Sequence, residues 1–376
     1  MDNRAMKRFG IFTALLLLSA ALSLVGCQKP GKRLLAIPDE AKYFVVYSDM
    51  FESTAGGFYL DERGGIVGGR ESFGLQDISC YDVSKNGIVL SGERRNNTLL
   101  LSRGSAVANA EFLFLNEGSY SGVTAITQRG GELIGIMNGN AMEDSYHTLL
   151  VRQPVGGNEL VKTELDIFAW TVIDDGGSAL VAGTYLPTGS SEYSARLMEC
   201  SLAESKVLRA RNYKEYAEFW HGVLVNQDWM LRAECWDQTS ALVLIDRETL
   251  NVRAELKLGD RPERLCGADG RIFAVGDRGI YEIDPELASF TKRVDFTGGA
   301  NEDEAYTDYS NCAYLMDGRI YVFLRYDKVG REGKLYHYGQ ILEVDIESWE
   351  VSKTPLSYTR RDDVTHLFPV PVTFFK

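Results

Sequence analysis

Residues 269–284 read DGRIFAVGDRGIYEID. Asp269-Gly270 is a dipeptide that supplies the positive φ of a tight β-hairpin. It leads into Arg271-Ile272-Phe273-Ala274-Val275, a β-branched and aromatic run. A short glycine-bearing turn follows, then Ile280-Tyr281-Glu282-Ile283-Asp284. The turn PELAS and a further run, FTKRVDF, complete the stretch. Two hairpins therefore lie back to back in one segment.

The same unit recurs along the chain. Its clearest copies are Ile341-Leu342-Glu343-Val344-Asp345 and Leu242-Val243-Leu244-Ile245-Asp246, each followed by a turn and another β-run. Weaker copies begin at Gly57, Leu99, Leu149 and Leu197, which makes seven in all. The preceding hairpin turns on Asn86-Gly87, Gly130-Gly131, Gly176-Gly177 and Asp317-Gly318, with Asn226-Gln227 keeping the spacing without glycine. Gly87 to Gly131 is 44 residues and Gly270 to Gly318 is 48. Two hairpins at that period describe a four-stranded β-propeller blade. A helical solenoid would need apolar spacing of three and four, and no long stretch has it.

The expected fold is all-β: a single propeller over residues 43–376, of seven four-stranded blades, with six or eight as the neighbouring counts. The first copy, near Phe58, lacks a complete hairpin before it, and Val364–Phe375 is an orphan β-run. Pairing the carboxy-terminal run with the amino-terminal strands would complete the seventh blade and remove two exposed edges. The repeats resemble bacterial propellers of the quinoprotein-like type, whose outer hairpins also read apolar-Tyr-x-apolar-Asp. That resemblance implies the fold and no particular activity. The chain lacks the regular Gly-His and Trp-Asp pairs of WD40 blades and the fixed Gly-Gly of kelch blades.

The amino terminus has a different character. Arg4, Lys7 and Arg8 precede IFTALLLLSAALSLV at residues 11–25. A charged start and a short apolar stretch make a secretory signal, expected over residues 1–26. The stretch is shorter than the ~20 residues of a spanning helix. It ends in Leu24-Val25-Gly26-Cys27, which resembles the lipobox of bacterial lipoproteins. That resemblance implies cleavage after Gly26, acylation of the Cys27 thiol and an extracytoplasmic place on the cell membrane or outer membrane. Two or three acyl chains hold a protein stably, at about 0.8 kcal/mol per buried methylene. Residues 27–42, with Pro30, Gly31 and Pro38, read as a lipidated tether.

The chain carries a net charge of −13, and loss of the signal makes the remainder more acidic still. So acidic a protein repels phosphate backbones, and no nucleic-acid partner is expected. Beyond Cys27 stand Cys80, Cys200, Cys235, Cys266 and Cys312, with no CxxC spacing. They read as buried small hydrophobes rather than zinc ligands. One disulfide would be permitted outside the cytoplasm.

No catalytic constellation stands out. The histidines 147, 221, 337 and 366 form no metal spacing, and no GxSxG, P-loop or Rossmann pattern is present. No metal site or resident cofactor is expected. Calcium is the one ion with a foothold, in the acidic run Asn301-Glu302-Asp303-Glu304 with Asp308.

Architecture then says where to look. In a propeller, the loops entering each innermost strand gather at one mouth of the channel. Counting seven residues back from each inner turn gives Cys80, Thr124, Trp170, Trp220, Glu263 and Asn311. Tyr81, His221, Arg264 and Tyr309 are neighbours, and His366 enters from the closing strand. Trp170, Trp220, His221, Glu263, Arg264, Asn311 and His366 are the candidate binding residues. Aromatic rings give stacking area and an arginine gives a charged clamp. The alternative for the tryptophans is packing between blades. Residues 326–338 (YDKVGREGKLYHY) are a second irregularity, of the sort that places function on a rigid scaffold. The expected function is a binding or scaffold propeller for a protein, peptide or glycan partner. The alternative is a propeller hydrolase or lactonase with channel-bound calcium.

Overall fold

The computed structural model describes residues 32–33, 36–49, 56–72, 78–84, 87–92, 97–104, 109–114, 120–139, 146–155, 157, 159–187, 192–296, 308–329, 335–358 and 364–376. Gly26, Cys27 and the acidic run 301–304 lie outside them. The strands form seven antiparallel sheets, each with a core of four strands that are consecutive in blades 1–6, arranged as a β-propeller. Blade 1 comprises Ile78–Val83, Gly87–Gly92, Asn97–Ser102 and Asn109–Phe114, from channel to rim. Blade 2 is Tyr120–Arg129, Glu132–Gly139, Thr148–Pro154 and Val161–Leu165. Blade 3 is Phe168–Asp174, Ser178–Tyr185, Ser194–Ser201 and Lys206–Tyr213. Blade 4 is Tyr216–Val225, Asp228–Cys235, Ser240–Ile245 and Val252–Leu256. Blade 5 is Pro262–Ala268, Arg271–Gly276, Gly279–Ile283 and Phe290–Asp295. Blade 6 is Asp308–Met316, Arg319–Val329, Leu335–Asp345 and Val351–Tyr358.

Blade 7 closes the ring as the orphan run required. Val364–Pro371 is its innermost strand and pairs with Tyr43–Asp49, followed by Gly56–Leu60 and Ile66–Ser72. The seam is aromatic. Phe368 stacks on Tyr314 of blade 6, with centroids 5.1 Å apart, and meets Tyr81 of blade 1 edge-on at 4.9 Å. Phe44, Tyr59, Phe374 and Phe375 belong to the same buried cluster. Fully burying a side chain of this size stabilises by roughly 1.5–3 kcal/mol.

The turns explain the sequence repeat. Asp269 and Gly270 have φ of 51° and 77°, and Asp317 and Gly318 have 51° and 72°. Both residues of each pair are left-handed, the conformation that matches strand twist in a two-residue hairpin. The Asp at the end of the third strand in blades 4, 5 and 6 closes the outer turn. Asp246 accepts from Thr249 N at 2.7 Å, Asp284 from Glu286 N at 2.8 Å, and Asp345 from Glu347 N and Ser348 N. This motif is structural: the side chain imitates a backbone turn.

Two segments differ from their sequence reading. Lys32–Arg33 pairs with Ala110 and Asn109 as a fifth strand on the rim of blade 1, so the tether is pinned five residues beyond Cys27. Ala41 is already buried in the core, ahead of the expected boundary at 43. Most of 326–338 is ladder rather than loop: Tyr326 pairs with Tyr338, Asp327 with His337 and Val329 with Leu335. Cross-strand pairing satisfies the backbone despite the charged composition. Among the described cysteines none is bridged; Cys80, Cys200, Cys266 and Cys312 are buried and Cys235 is partly so. Burial pushes the Cys266 thiol up to about 11 and Cys200 up to about 12.

Candidate functional site in the central channel

Each innermost strand runs from the face where loops deliver it to the face where it turns back. Partway along, its register with the second strand slips in all seven blades. The unpaired residues are Ser79, Thr124, Trp170, Trp220-His221, Glu263, Ser310–Cys312 and Thr365. These are β-bulges, which bend a strand and re-aim its side chains. The positions counted from the inner turns fall on this ring of bulges or one residue from it. Glycine makes room for it at two places. A Cβ on Gly183 would lie 2.0 Å from Phe168 O, and one on Gly222 would lie 2.2 Å from Leu231 Cδ2.

At that level side chains bridge the blades, a group we call the plug. Arg264 of blade 5 donates from Nη1 to His221 Nδ1 of blade 4, at 3.1 Å. From Nη2 it donates to Tyr81 O of blade 1, also at 3.1 Å. Its guanidinium stacks over the Tyr81 ring, 4.3 Å from the centroid. Tyr81 in turn spans to blade 6, donating to Ala313 O at 2.9 Å and accepting from Ala313 N at 2.8 Å. Three side chains from three blades thus tie four blades together across the axis.

Arginine has only donors, so the His221 bond fixes the tautomer: Nδ1 accepts and the proton sits on Nε2. Burial, then the charges of Arg264 and Arg232, hold the imidazole well below the usual histidine range, and it is neutral. Asp82 lies beside the plug and accepts from Gln128 N at 2.9 Å and Thr127 Oγ1 at 3.3 Å. Its burial raises the carboxyl pKa, opposed by those bonds and by Arg264.

The plug is the floor of a cavity of ≈590 Å³ that reaches the inner-turn face at Asn226, Asp269 and Gly270. Its walls include Ile126, Val172, Val223, Leu265 and Leu315. An adjoining groove of ≈620 Å³ shares Val225 and Asn226 with it. Arg209, Arg247 and Arg253 beside that groove are each held by a carboxylate: Glu199, Asp175, and Asp228 with Glu286.

Of the candidates, Trp170, His221 and Arg264 line the cavity, with Cys80, Tyr81 and Thr124. Trp220 stacks on Trp170, with centroids 4.3 Å apart and planes at 19°. Arg232 lies over the Trp220 ring. Glu263 pairs with Arg232 at 3.2 Å and Arg261 at 3.1 Å. Asn311 and His366 occupy their inner-strand positions in blades 6 and 7, and their side chains lie outside the description.

Arg232 and Glu218 were not among the candidates. Arg232 is 1% exposed and holds Glu234 as well as Glu263. An arginine inside the apolar run Trp229-Met230-Leu231-Arg232-Ala233 was the available signal. Burial and the charge of Glu234 raise Glu218, and burial with Glu263 and Asp260 raises Asp277. Among the described residues no three His, Cys, Asp or Glu side chains are grouped to hold a metal ion.

No protein-family model matches the chain, and no curated protein matches it. Solved structures do. A putative 6-phosphogluconolactonase from Bacteroides fragilis superposes with a TM-score of 0.51 at 10% identity, covering 89% of this chain and all of that one. The β-propeller domain of Cps50 from Myceliophteria thermophila gives 0.43 at 8% identity over 87% of this chain and 100% of that one. The extracellular domain of a putative one-component system from B. thetaiotaomicron gives 0.43 at 9%, over 88% of this chain and 48% of that one. At these identities the likeness is one of fold.

Proposed function

We propose that the chain is a binding propeller, held outside the cytoplasm by a lipid on Cys27, that grips a protein, peptide or glycan partner through its channel. The plug carries this reading. A floor built from Tyr81, His221 and Arg264 turns a through-channel into a socket open on the inner-turn face. Its volume is that of a ligand site, and polar groups converge on its floor among a mixed lining. The pinned tether supports the orientation. Five residues span at most about 18 Å, so a lipid on Cys27 would bring the rim of blade 1 nearest the bilayer. Both channel faces would then stay open to a partner.

The test uses the full chain in its own membrane. A photo-crosslinking residue at Asn226, on the cavity mouth, should yield an adduct that the same residue at Leu208, on the rim of blade 3, does not. Equal labelling from both positions, or none from Asn226, would remove the socket from the proposal. Anchoring is read separately: Cys27→Ser should lose incorporation of an alkyne fatty acid and leave the membrane fraction.

A further inference from the structure

The half-buried guanidinium of Arg264 reaches from blade 5 to blades 4 and 1 and lines the cavity. Such a charge is costly to bury, and proteins normally pair it with a carboxylate. Here it makes no ion pair among the described residues; its partners are a neutral imidazole and a backbone carbonyl. Asp82 spends its hydrogen bonds on Gln128 N and Thr127 Oγ1. By contrast, the arginines of the adjoining groove are each matched to an acid.

We infer that the Arg264–His221 floor takes the carboxylate of a ligand, in the form of a peptide carboxy terminus. The inference rests on the proposed socket and names its chemistry. Arginine's planar fork matches a carboxylate, and an imidazole N–H adds a second kind of donor. Around the floor the walls are mixed: Val83, Val223 and Leu315 stand among Thr124, Thr127 and Thr171. A dianionic phosphate is disfavoured, because Asp82, Asp174 and Asp269 also line the cavity and the whole chain is acidic.

The experiment is calorimetric titration of the purified full chain with N-acetylphenylalanine, its carboxamide and inorganic phosphate. The free acid should bind at least roughly tenfold more tightly than the amide, the loss expected when one charge-assisted contact is removed. Phosphate should not bind. Arg264→Met should erase the preference for acid over amide. Asp82→Asn should bind the acid as tightly or better, because it removes a nearby like charge. Equal binding of acid and amide, an unchanged preference in Arg264→Met, weakened binding in Asp82→Asn, or no binding of any probe would each overturn the inference. Val223→Trp separates it from the socket itself. Loss of all binding there, with Arg264→Met still binding acid and amide as wild type does, would keep the socket and reject the carboxylate.

Discussion

The two sides of the ring are built from different chemistry. Around blades 6, 7 and 1 the channel wall is aromatic, and the hydroxyls of Tyr314 and Tyr81 bond backbone. Tyr314 donates to Pro369 O at 2.6 Å and Tyr81 bonds the backbone of Ala313. Around blades 4 and 5 the wall holds Arg232, Glu234, Glu263, Arg264 and His221, and buried Trp220 Nε1 and Arg232 Nε have no hydrogen-bond partner among the described residues. The aromatic side must hold the chain ends together, since only strand pairing and packing close the ring. The charged side has no such task and retains groups that are costly to bury. The contrast teaches that ring closure and the buried charges are divided between opposite walls of one channel.

That contrast can be broken most directly at Phe368. Phe368→Ala removes a 2%-exposed ring from the closing strand and should cost about 3–5 kcal/mol, read as a fall in the urea midpoint. A loss no larger than that of an exposed residue would mean that the seam does not hold the ring. Tyr81→Phe leaves Ala313 N and O without their partner and should cost about 1–3 kcal/mol, measured in the same way.

The charged side is probed by pH. His221 is held below its unfolded value, so the unfolded chain binds the proton first. Its contribution to stability is complete above the unfolded pKa of ~6.5 and is lost as pH falls below that value. Melting temperature should therefore drop between about pH 6.5 and pH 5, and the drop should be smaller in His221→Gln. The same slope in both proteins would show that the imidazole is not held neutral by its place beside Arg264. This is the smallest of the three effects.

Much of the ring was legible because its signals are local. Asp269-Gly270 and Asp317-Gly318 demand left-handed turns, and alternating apolar runs demand paired strands. Even the level of the bulges could be counted from the turns, because every blade repeats the same spacing. What the side chains do there could not be counted. Trp170 and Trp220 stack on each other, while Arg264 reaches past them to a carbonyl of blade 1, 183 residues away. Asp82 gave no signal, since one acid beside a tyrosine looks like any solvated strand end.

The sequence by itself pointed to seven blades, their turns and the closure by Val364–Pro371. Its determinants are short-range: a left-handed turn or an apolar alternation is decided within a few residues. Only the tertiary structure decided that side chains bridge the channel, that the cavity reaches the inner-turn face, and that Arg264 lines it with no ion pair among the described residues. Those outcomes depend on where strands from blades 1, 4, 5 and 6 bring their bulges to one level of the axis, and no single segment encodes that meeting.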